Sequence, residues 1–212
     1  MANRRRAGRP KGGDSRATRE RVIIAATGLF ATQGYEGTTM VAVAQAADLS
    51  GTGLTHHFPT KEDLLQAVLT YRDERDFRTI GVGGKLQAGW AVFDDVARQV
   101  EINQKDQAIV RLFTRMVAEA TEPTHPGHAW LRRHHAGYRE ALTEALERGK
   151  AQGSVAEAVP STEIADLTMA VLDGLQLQWL QDPENFDMRA HLDVFVAGIR
   201  AAWEPGPGAT SS

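Results

Sequence analysis

The sequence predicts an all-α protein, with an N-terminal three-helix domain built around a helix-turn-helix and a C-terminal helical bundle that dimerises. Three observations predict it. Apolar residues recur at three- and four-residue spacing in successive segments of the 212-residue chain, the period of an amphipathic helix, and no segment alternates as a strand would. Two of those segments are short and are joined by a three-residue turn, Asp48, Leu49 and Ser50. The run Gly81, Val82, Gly83, Gly84 is a glycine cluster between two long helical patterns and marks a seam.

The first helix runs from about Arg16, carries Val22, Ile23, Ala26, Leu29 and Phe30 on one stripe, and stops at Gly34. Thr39 can cap a short second helix, Met40 to Ala47, and a third short helix runs from Gly51 to Phe58 until Pro59 ends it. Thr60 with Asp63 three residues on is a capping signature for a fourth helix through Leu64, Leu65, Val68 and Leu69 towards Phe77. A fifth carries Leu86, Trp90, Phe93, Val96 and Val100, and a sixth Ile109, Leu112, Phe113 and Met116. After the break at residues 121–127, a seventh opens at Pro126 and places Leu131, His135, Tyr138, Leu142, Leu146 and Gly149 on one stripe. The eighth (Ile164, Leu167, Val171, Leu172, Leu175, Trp179) and ninth (Leu192, Phe195, Val196, Ile199, Trp203) complete the bundle.

Net charge is only −3, which taken alone argues against a nucleic-acid binder. Its distribution argues otherwise. Arg4, Arg5, Arg6, Arg9, Lys11, Arg16, Arg19 and Arg21 face only Asp14 and Glu20 within the first 21 residues, so the rest of the chain is net acidic. No apolar run approaches the roughly 20 residues of a membrane span, and the basic start is not followed by an apolar stretch, so a cytoplasmic protein without membrane contact is expected. There are no cysteines, which excludes disulfides and thiolate metal sites.

The third helix is polar and uncharged: Gly51, Thr52, Gly53, Leu54, Thr55, His56, His57, Phe58. Only Leu54 and Phe58, four apart, are needed to anchor it. The other face is left small and hydrogen-bonding, so Thr52, Thr55 and His56 can reach phosphates or base edges, and the glycines let the backbone approach closely. Lys61 stands in the first turn of the fourth helix, where the dipole disfavours a positive charge, and a DNA phosphate would compensate it. A solvated lysine tolerated at small cost is the alternative.

The run GYEGTTMVAVAQAADLSGTGLTHHFPTKEDLL, Gly34 to Leu65, resembles the DNA-binding domain of TetR-type repressors, whose pattern is G-Y/F-x-x-T-T, a short I-A helix, S-x-G-x-L-Y-x-H-F, then P-x-K-E-x-L. The last three helices resemble the BetI-like C-terminal subgroup. The resemblance implies that Thr39 caps the second helix beside a phosphate, that Thr52, Gly53, Thr55, His56 and His57 face DNA, and that Lys61 binds the backbone; Ser50, which opens the third-helix pattern, is a further candidate contact. Three positions depart from the pattern: Thr55 replaces a phosphate-contacting Tyr, Asp48 replaces a turn glycine, and Thr52-Gly53 reverses the usual order. Asp tolerates the left-handed conformation better than most residues. The segment Arg4 to Lys11 resembles the core of an AT-hook, whose arginines lie in a narrow A·T minor groove, so Arg4, Arg5, Arg6, Arg9 and Lys11 would add affinity; an idle solubilising tail is the alternative.

The implied organisation is a basic arm over 1–15, a helix-turn-helix domain over 16–80, a ligand-binding and dimerisation domain over 81–203 and a tail over 204–212. Trp90, Phe93, Phe113, Met116, Trp130, His134, Tyr138 and Trp179, with Leu172 and Gln176, are candidates for an aromatic-walled cavity holding a small apolar or aromatic effector; for any one of them a place in the core is the default. The eighth helix is apolar on more than one face, which fits a twofold homodimer through the eighth and ninth helices or a central position within a monomer. The family mechanism would have ligand swing the fourth helix and alter the spacing of two recognition helices that must meet half-sites roughly 34 to 36 Å apart.

His125, His128, His134 and His135 lack the i, i+4 spacing of metal ligands, and neither metal nor cofactor is expected. No nucleotide-binding glycine loop, nucleophile elbow or paired-histidine motif nominates a catalyst, so an enzyme or carrier using the same cavity is the weaker reading. A purely structural helical module would need neither the polar third helix nor the basic arm. The overall expectation is a ligand-responsive regulator, a repressor by the family's usual mode, on a palindromic double-stranded operator.

Overall fold

The computed structural model describes residues 13–79 and 85–204, so the basic arm's Arg4, Arg5, Arg6, Arg9 and Lys11, the glycine seam at 81–84 and the tail from 205 lie outside the described residues. All the regular structure described is helical: α1 (Gly13–Gly37), α2 (Met40–Ala46), α3 (Gly51–His57), α4 (Lys61–Thr79), a 3-10 turn (Gly89–Ala91) leading into α5 (Val92–Asn103), α6 (Gln107–Glu119), α7 (His128–Ala151), α8 (Ser161–Gln181) and α9 (Met188–Trp203). The first helix already runs at Gly13, three residues before the expected Arg16, and its path breaks at Gly34, where φ is 76° and ψ 178°. That conformation is open to glycine and strained for other residues. The seventh helix starts at His128 rather than Pro126, because the chain first turns through His125, whose Nδ1 accepts the Gly127 N–H.

Two apolar cores hold the molecule. The first gathers α1 (Val22, Phe30, Tyr35), α2 (Val43), α3 (Leu54, Phe58) and α4 (Leu64, Leu65, Val68, Leu69), and it also takes in Leu112, Phe113 and Met116 of α6 and Trp130 and Leu131 of α7. The second joins Trp90 and Phe93 to α5, α7, α8 and α9 through Leu142, Leu146, Ile164, Leu175, Trp179 and Leu192. α6 therefore belongs to both regions, because its Val110 packs in the second core.

Polar contacts reinforce the α1–α6 join. Arg115 Nη1 donates to the carbonyl of Thr32 at 2.6 Å, satisfying a backbone acceptor near the end of the first helix, and Glu119 Oε2 accepts the Tyr35 N–H at 3.0 Å. A Cβ at Gly34 would overlap the Glu119 carboxylate. No helix among the described residues is long and apolar enough to cross a membrane.

Candidate nucleic-acid interface and effector cavity

The α2–α3 pair is built by caps that its own sequence supplies. Thr39 Oγ1 accepts the Ala42 N–H at 3.1 Å and Ser50 Oγ accepts the Gly53 N–H at 3.0 Å, each satisfying one of the free donors of a helix start. Between them Asp48 takes φ 54°, the left-handed value that its place in the turn demands. Thr60 and Asp63 form the reciprocal box at the head of α4: the Asp63 N–H donates to Thr60 Oγ1 at 3.0 Å and the Thr60 N–H to Asp63 Oδ2 at 3.2 Å.

Leu54 and Phe58 are both 1% exposed, and they seat α3 on the first core. Arg19 of α1 lies over the Phe58 ring at 4.2 Å and donates to the His57 carbonyl at 3.2 Å, closing the end of α3. Thr39, Ser50, Thr52, Thr55 and His56 are exposed, whereas Gly53 and His57 are half-buried. Thr55 Oγ1 donates to the Thr52 carbonyl at 3.2 Å, so the short hydroxyl that stands in place of a tyrosine turns back on its own helix.

Lys61 is half-buried rather than free. Its Nζ donates to the Tyr35 carbonyl at 3.0 Å, lies 3.9 Å from Glu36 Oε2 and sits 4.2 Å over the Tyr35 ring. A positive charge at the start of α4 thus finds its compensation at the end of α1, and a phosphate is not needed to account for it. The Tyr35 hydroxyl donates to Glu62 Oε1 at 2.9 Å; burial and that carboxylate push the phenol well above its ordinary range.

Behind this surface lies a cavity of 430 Å³ walled by α4, α5, α6, α7 and α8. Of the residues expected around it, Phe113, His134, Tyr138, Leu172 and Gln176 line it. Trp90, Phe93, Met116, Trp130 and Trp179 are not among the lining residues. Trp90 and Phe93 stack at 6.0 Å in the second core, where the 3-10 turn meets the end of α7, and Trp179 is buried in the same core. Met116 is fully buried in the first core, and Trp130 stands behind His134, stacked on it at 5.0 Å. Large side chains at these positions fill the two cores rather than the cavity.

The wall contains polar groups that the aromatic pattern did not single out. Asp95, Gln99 and Asn103 recur every fourth residue on the buried face of α5, a spacing visible in the sequence. Asp95 accepts from the Gln87 N–H at 2.8 Å and from Arg98 Nη1 at 2.8 Å, and Gln99 Nε2 donates to Asn103 Oδ1 at 2.9 Å. Arg72 and Asp73 of α4 carry no such signature. Arg72 is 4% exposed and lies 4.0 Å over the Phe113 ring, and its Nη1 stands 3.5 Å from Asp73 Oδ1 and 3.4 Å from a ring nitrogen of His134. Asp73 in turn accepts the Trp130 indole N–H at 2.6 Å and pairs with His134 Nδ1 at 3.2 Å. This knot ties α4 to α6 and α7 at the cavity wall.

Burial raises the Asp73 carboxyl, but hydrogen bonds from His134 and Trp130, with the nearby His134 and Arg72 charges, outweigh it and hold the pKa below its ordinary value. A depressed carboxyl contributes stability that is present above its unfolded value and is lost as pH falls through its folded one. Asp73→Asn is therefore expected to flatten the acid limb of stability below the ordinary carboxylate range, as read from urea midpoints across that range. A variant whose acid limb matched the wild type would show that Asp73 carries none of it. Among the described residues no group of three or more His, Asp or Glu stands where it could hold a metal ion.

The family of bacterial regulatory proteins of tetR type matches residues 22–68, and the C-terminal domain of BetI-type transcriptional repressors matches residues 96–201. The chain is 24% identical over 185 residues to the HTH-type transcriptional repressor AcnR of Corynebacterium diphtheriae, covering 87% of this chain and 92% of that one. It is 28% identical over 192 residues to an HTH-type transcriptional repressor of Mycobacterium tuberculosis, covering 87% and 94%. Among solved structures, a TetR transcriptional regulator from Chloroflexus aurantiacus superposes with a TM-score of 0.73 at 21% identity, covering 90% of this chain and 97% of that one. The SmeT–triclosan complex superposes with a TM-score of 0.71 at 21% identity, covering 92% and 98%. With a capped, core-anchored helix pair inside the first match and the cavity-bearing bundle largely inside the second, the chain belongs to the TetR family: it is a DNA-binding transcriptional repressor with a BetI-type C-terminal domain, and not an enzyme.

Proposed function

We propose that this repressor binds a palindromic operator as a twofold dimer and is released by a small, largely apolar or aromatic effector that enters the α4–α8 cavity. The observation that carries the proposal is that α4 touches both ends of the problem. Its first turn braces α1 beside α3 through Lys61, and three turns later Arg72 and Asp73 form part of the cavity wall. A ligand that binds better when the Arg72–Asp73–His134 knot is rearranged would shift α4, and with it the spacing of the recognition helices. That SmeT, a protein of similar fold, was solved with triclosan supports a small-molecule effector.

The dimer reading rests on exposed apolar side chains along the last two helices. On α8, Leu167 is 55% and Leu177 52% exposed, with exposed Ala170 between them; on α9, Val194 is 74% exposed and is followed by exposed Ala197, Gly198 and Ala201. Two such faces meeting across a twofold axis would form a four-helix bundle. In that dimer Thr39, Ser50, Thr52, Gly53, Thr55, His56 and His57 would contact the operator from each half, Lys61 would steady the backbone approach, and Arg4, Arg5, Arg6, Arg9 and Lys11 would add contacts to the phosphates or minor groove.

The test is fluorescence anisotropy with the DNA upstream of the protein's own gene, at several salt concentrations. The double variant Thr52→Ala, His56→Ala is expected to weaken specific binding by about 30-fold or more per half-site and to relax sequence preference, since each base contact is worth about 1–3 kcal/mol. Deleting residues 1–11 should lower affinity and the salt slope while leaving sequence preference in place. A monomer in sedimentation at the binding concentrations, or a double variant that still discriminates the operator, would end the proposal.

A further inference from the structure

The cavity wall carries an imbalance of hydrogen-bonding chemistry. Two of its three carboxylates are committed, Asp73 to Trp130, His134 and Arg72, and Asp95 to Gln87 and Arg98. Asp173 of α8 is different. It accepts no hydrogen bond from the described residues, and its nearest ion-pairing atom, His135 Nε2, stands 4.0 Å away, beyond hydrogen-bond reach. Burial pushes this carboxyl above its ordinary range, against the opposing influence of His135 and Arg72. One turn on, Gln176 is 9% exposed and its Oε1 is buried without a hydrogen-bond partner. Leaving a buried acceptor without a donor is costly, and more so for a charge.

Both groups are acceptors, both line the same cavity, and they lie three residues apart on α8, so they share a face. The donors nearby do not meet this need: Arg72 is stacked on Phe113 and drawn to Asp73 and His134, Arg133 is exposed, and His135 Nε2, itself buried without a hydrogen-bond partner, stands 4.0 Å from Asp173, so that a ligand N–H can reach Asp173 only beside it. Apart from the Gln99–Asn103 pair on α5, the rest of the wall is apolar or aromatic, with Phe113, His134 and Tyr138 along one side; the His134 and Tyr138 rings are 4.9 Å apart.

We infer that the effector is a hydrophobic amine: a protonated nitrogen bearing N–H donors binds between the Asp173 carboxylate and Gln176 Oε1, and its apolar body lies along Phe113, His134 and Tyr138. This rests on the reading of the cavity as the effector site and adds the charge and donor pattern of the ligand. A quaternary ammonium would satisfy the charge but offer no N–H to Gln176. A carboxylic acid would meet Asp173 with like charge, and an alcohol would supply a donor without the charge.

The full-length protein should be titrated by calorimetry with four probes on one scaffold: 3,3-diphenylpropylamine, its N,N,N-trimethylammonium analogue, 3,3-diphenylpropan-1-ol and 3,3-diphenylpropionic acid. The amine is expected to bind at least 10-fold more tightly than the other three. Asp173→Asn should cut amine affinity at least 10-fold while changing alcohol affinity by less than threefold, and Gln176→Met should narrow the gap between the amine and its trimethyl analogue. Circular dichroism melting of both variants separates lost recognition from lost folding. Acid or alcohol binding as tight as the amine's, no binding by any probe, or amine affinity indifferent to Asp173→Asn would overturn the inference. Operator anisotropy on the same samples keeps the two proposals apart. Amine binding without DNA release would retain the ligand chemistry and refute release, whereas operator binding with release by the neutral or acidic probe alone would do the reverse.

Discussion

Phe58→Ala is expected to abolish operator binding while the upper part of the bundle stays folded. The ring is 1% exposed at the end of α3, where it joins Leu54 in the first core and is covered by Arg19 at 4.2 Å. Removing a buried phenylalanine costs about 3–5 kcal/mol, which for a chain of this size lowers the melting temperature by about 10 °C. The loss falls where α3 has little else to hold it. This helix has seven residues, too few to stand alone in water, and only Leu54 remains as a buried anchor. Thr55→Ala on the same helix is the control: an exposed hydroxyl bonded to its own helix should change stability by less than about 0.5 kcal/mol. Thermal melts beside operator anisotropy check the pair. Phe58→Ala with wild-type affinity would mean that α3 is oriented by something other than its two anchors.

Gly149→Ala is expected to be the most disruptive single methyl in the bundle. A Cβ there would overlap the Cα and N of Gly89 and crowd Val155, so the obstruction is backbone and cannot rotate away. Gly89 itself has φ 67°, a value that glycine adopts freely, and it sits at the start of the 3-10 turn that packs on the end of α7. Overpacking costs about 1–3 kcal/mol and more where the backbone must move, so a fall in melting temperature of at least about 4 °C is expected. The damage should reach the cavity. The Leu86 carbonyl, bonded by Arg148 Nη2 at 2.8 Å, belongs to a residue of its wall. Gly28→Ala gives the opposite sign: in α1 a Cβ meets nothing within 4 Å, and the better helix former should add roughly 0.5–1 kcal/mol. If Gly149→Ala melted with the wild type, the close approach of these two segments would not matter to the fold.

These two substitutions probe different cores, and the link between them is a helix that sequence reading assigns to one side only. Phe113 lines the cavity, while Leu112 and Met116 pack beneath α1 and α4, and one turn further on Arg115 and Glu119 hold the α1 end. Under the proposed mechanism, a ligand pressing on Phe113 would act on a helix already clamped to the end of α1, in addition to acting on α4 through Arg72. Rigid packing across such a join would let a local change at the cavity become a change of attitude in α3.

The candidate site was legible in the sequence in unequal parts. Thr39 and the Thr60–Asp63 pair were readable as caps, and Leu54 and Phe58 as the two anchors of an otherwise polar helix, because each depends on residues at most four positions away; Ser50, read as a turn residue, proves to cap α3. Half of the residues expected around the cavity do line it, since Phe113, His134, Tyr138, Leu172 and Gln176 lie on helix faces that look inward, but most of the wall was not singled out. The polar stripe of Asp95, Gln99 and Asn103 was present in the spacing but masked by the valines beside it.

By itself, then, the chain determined its helices, their caps and the exposed face of α3, all of which follow from short-range hydrogen bonding and the 3.6-residue period. Only the tertiary structure decided that Trp90, Phe93, Met116, Trp130 and Trp179 fill cores, that Lys61 turns to Tyr35, and that Arg72, Asp73 and Asp173 face the cavity. The physical reason is distance along the chain. Asp73 meets Trp130 and Lys61 meets Tyr35 across 57 and 26 residues. Such meetings depend on where two helices cross and how far each is rotated, and apolar periodicity constrains which face is buried without saying against what.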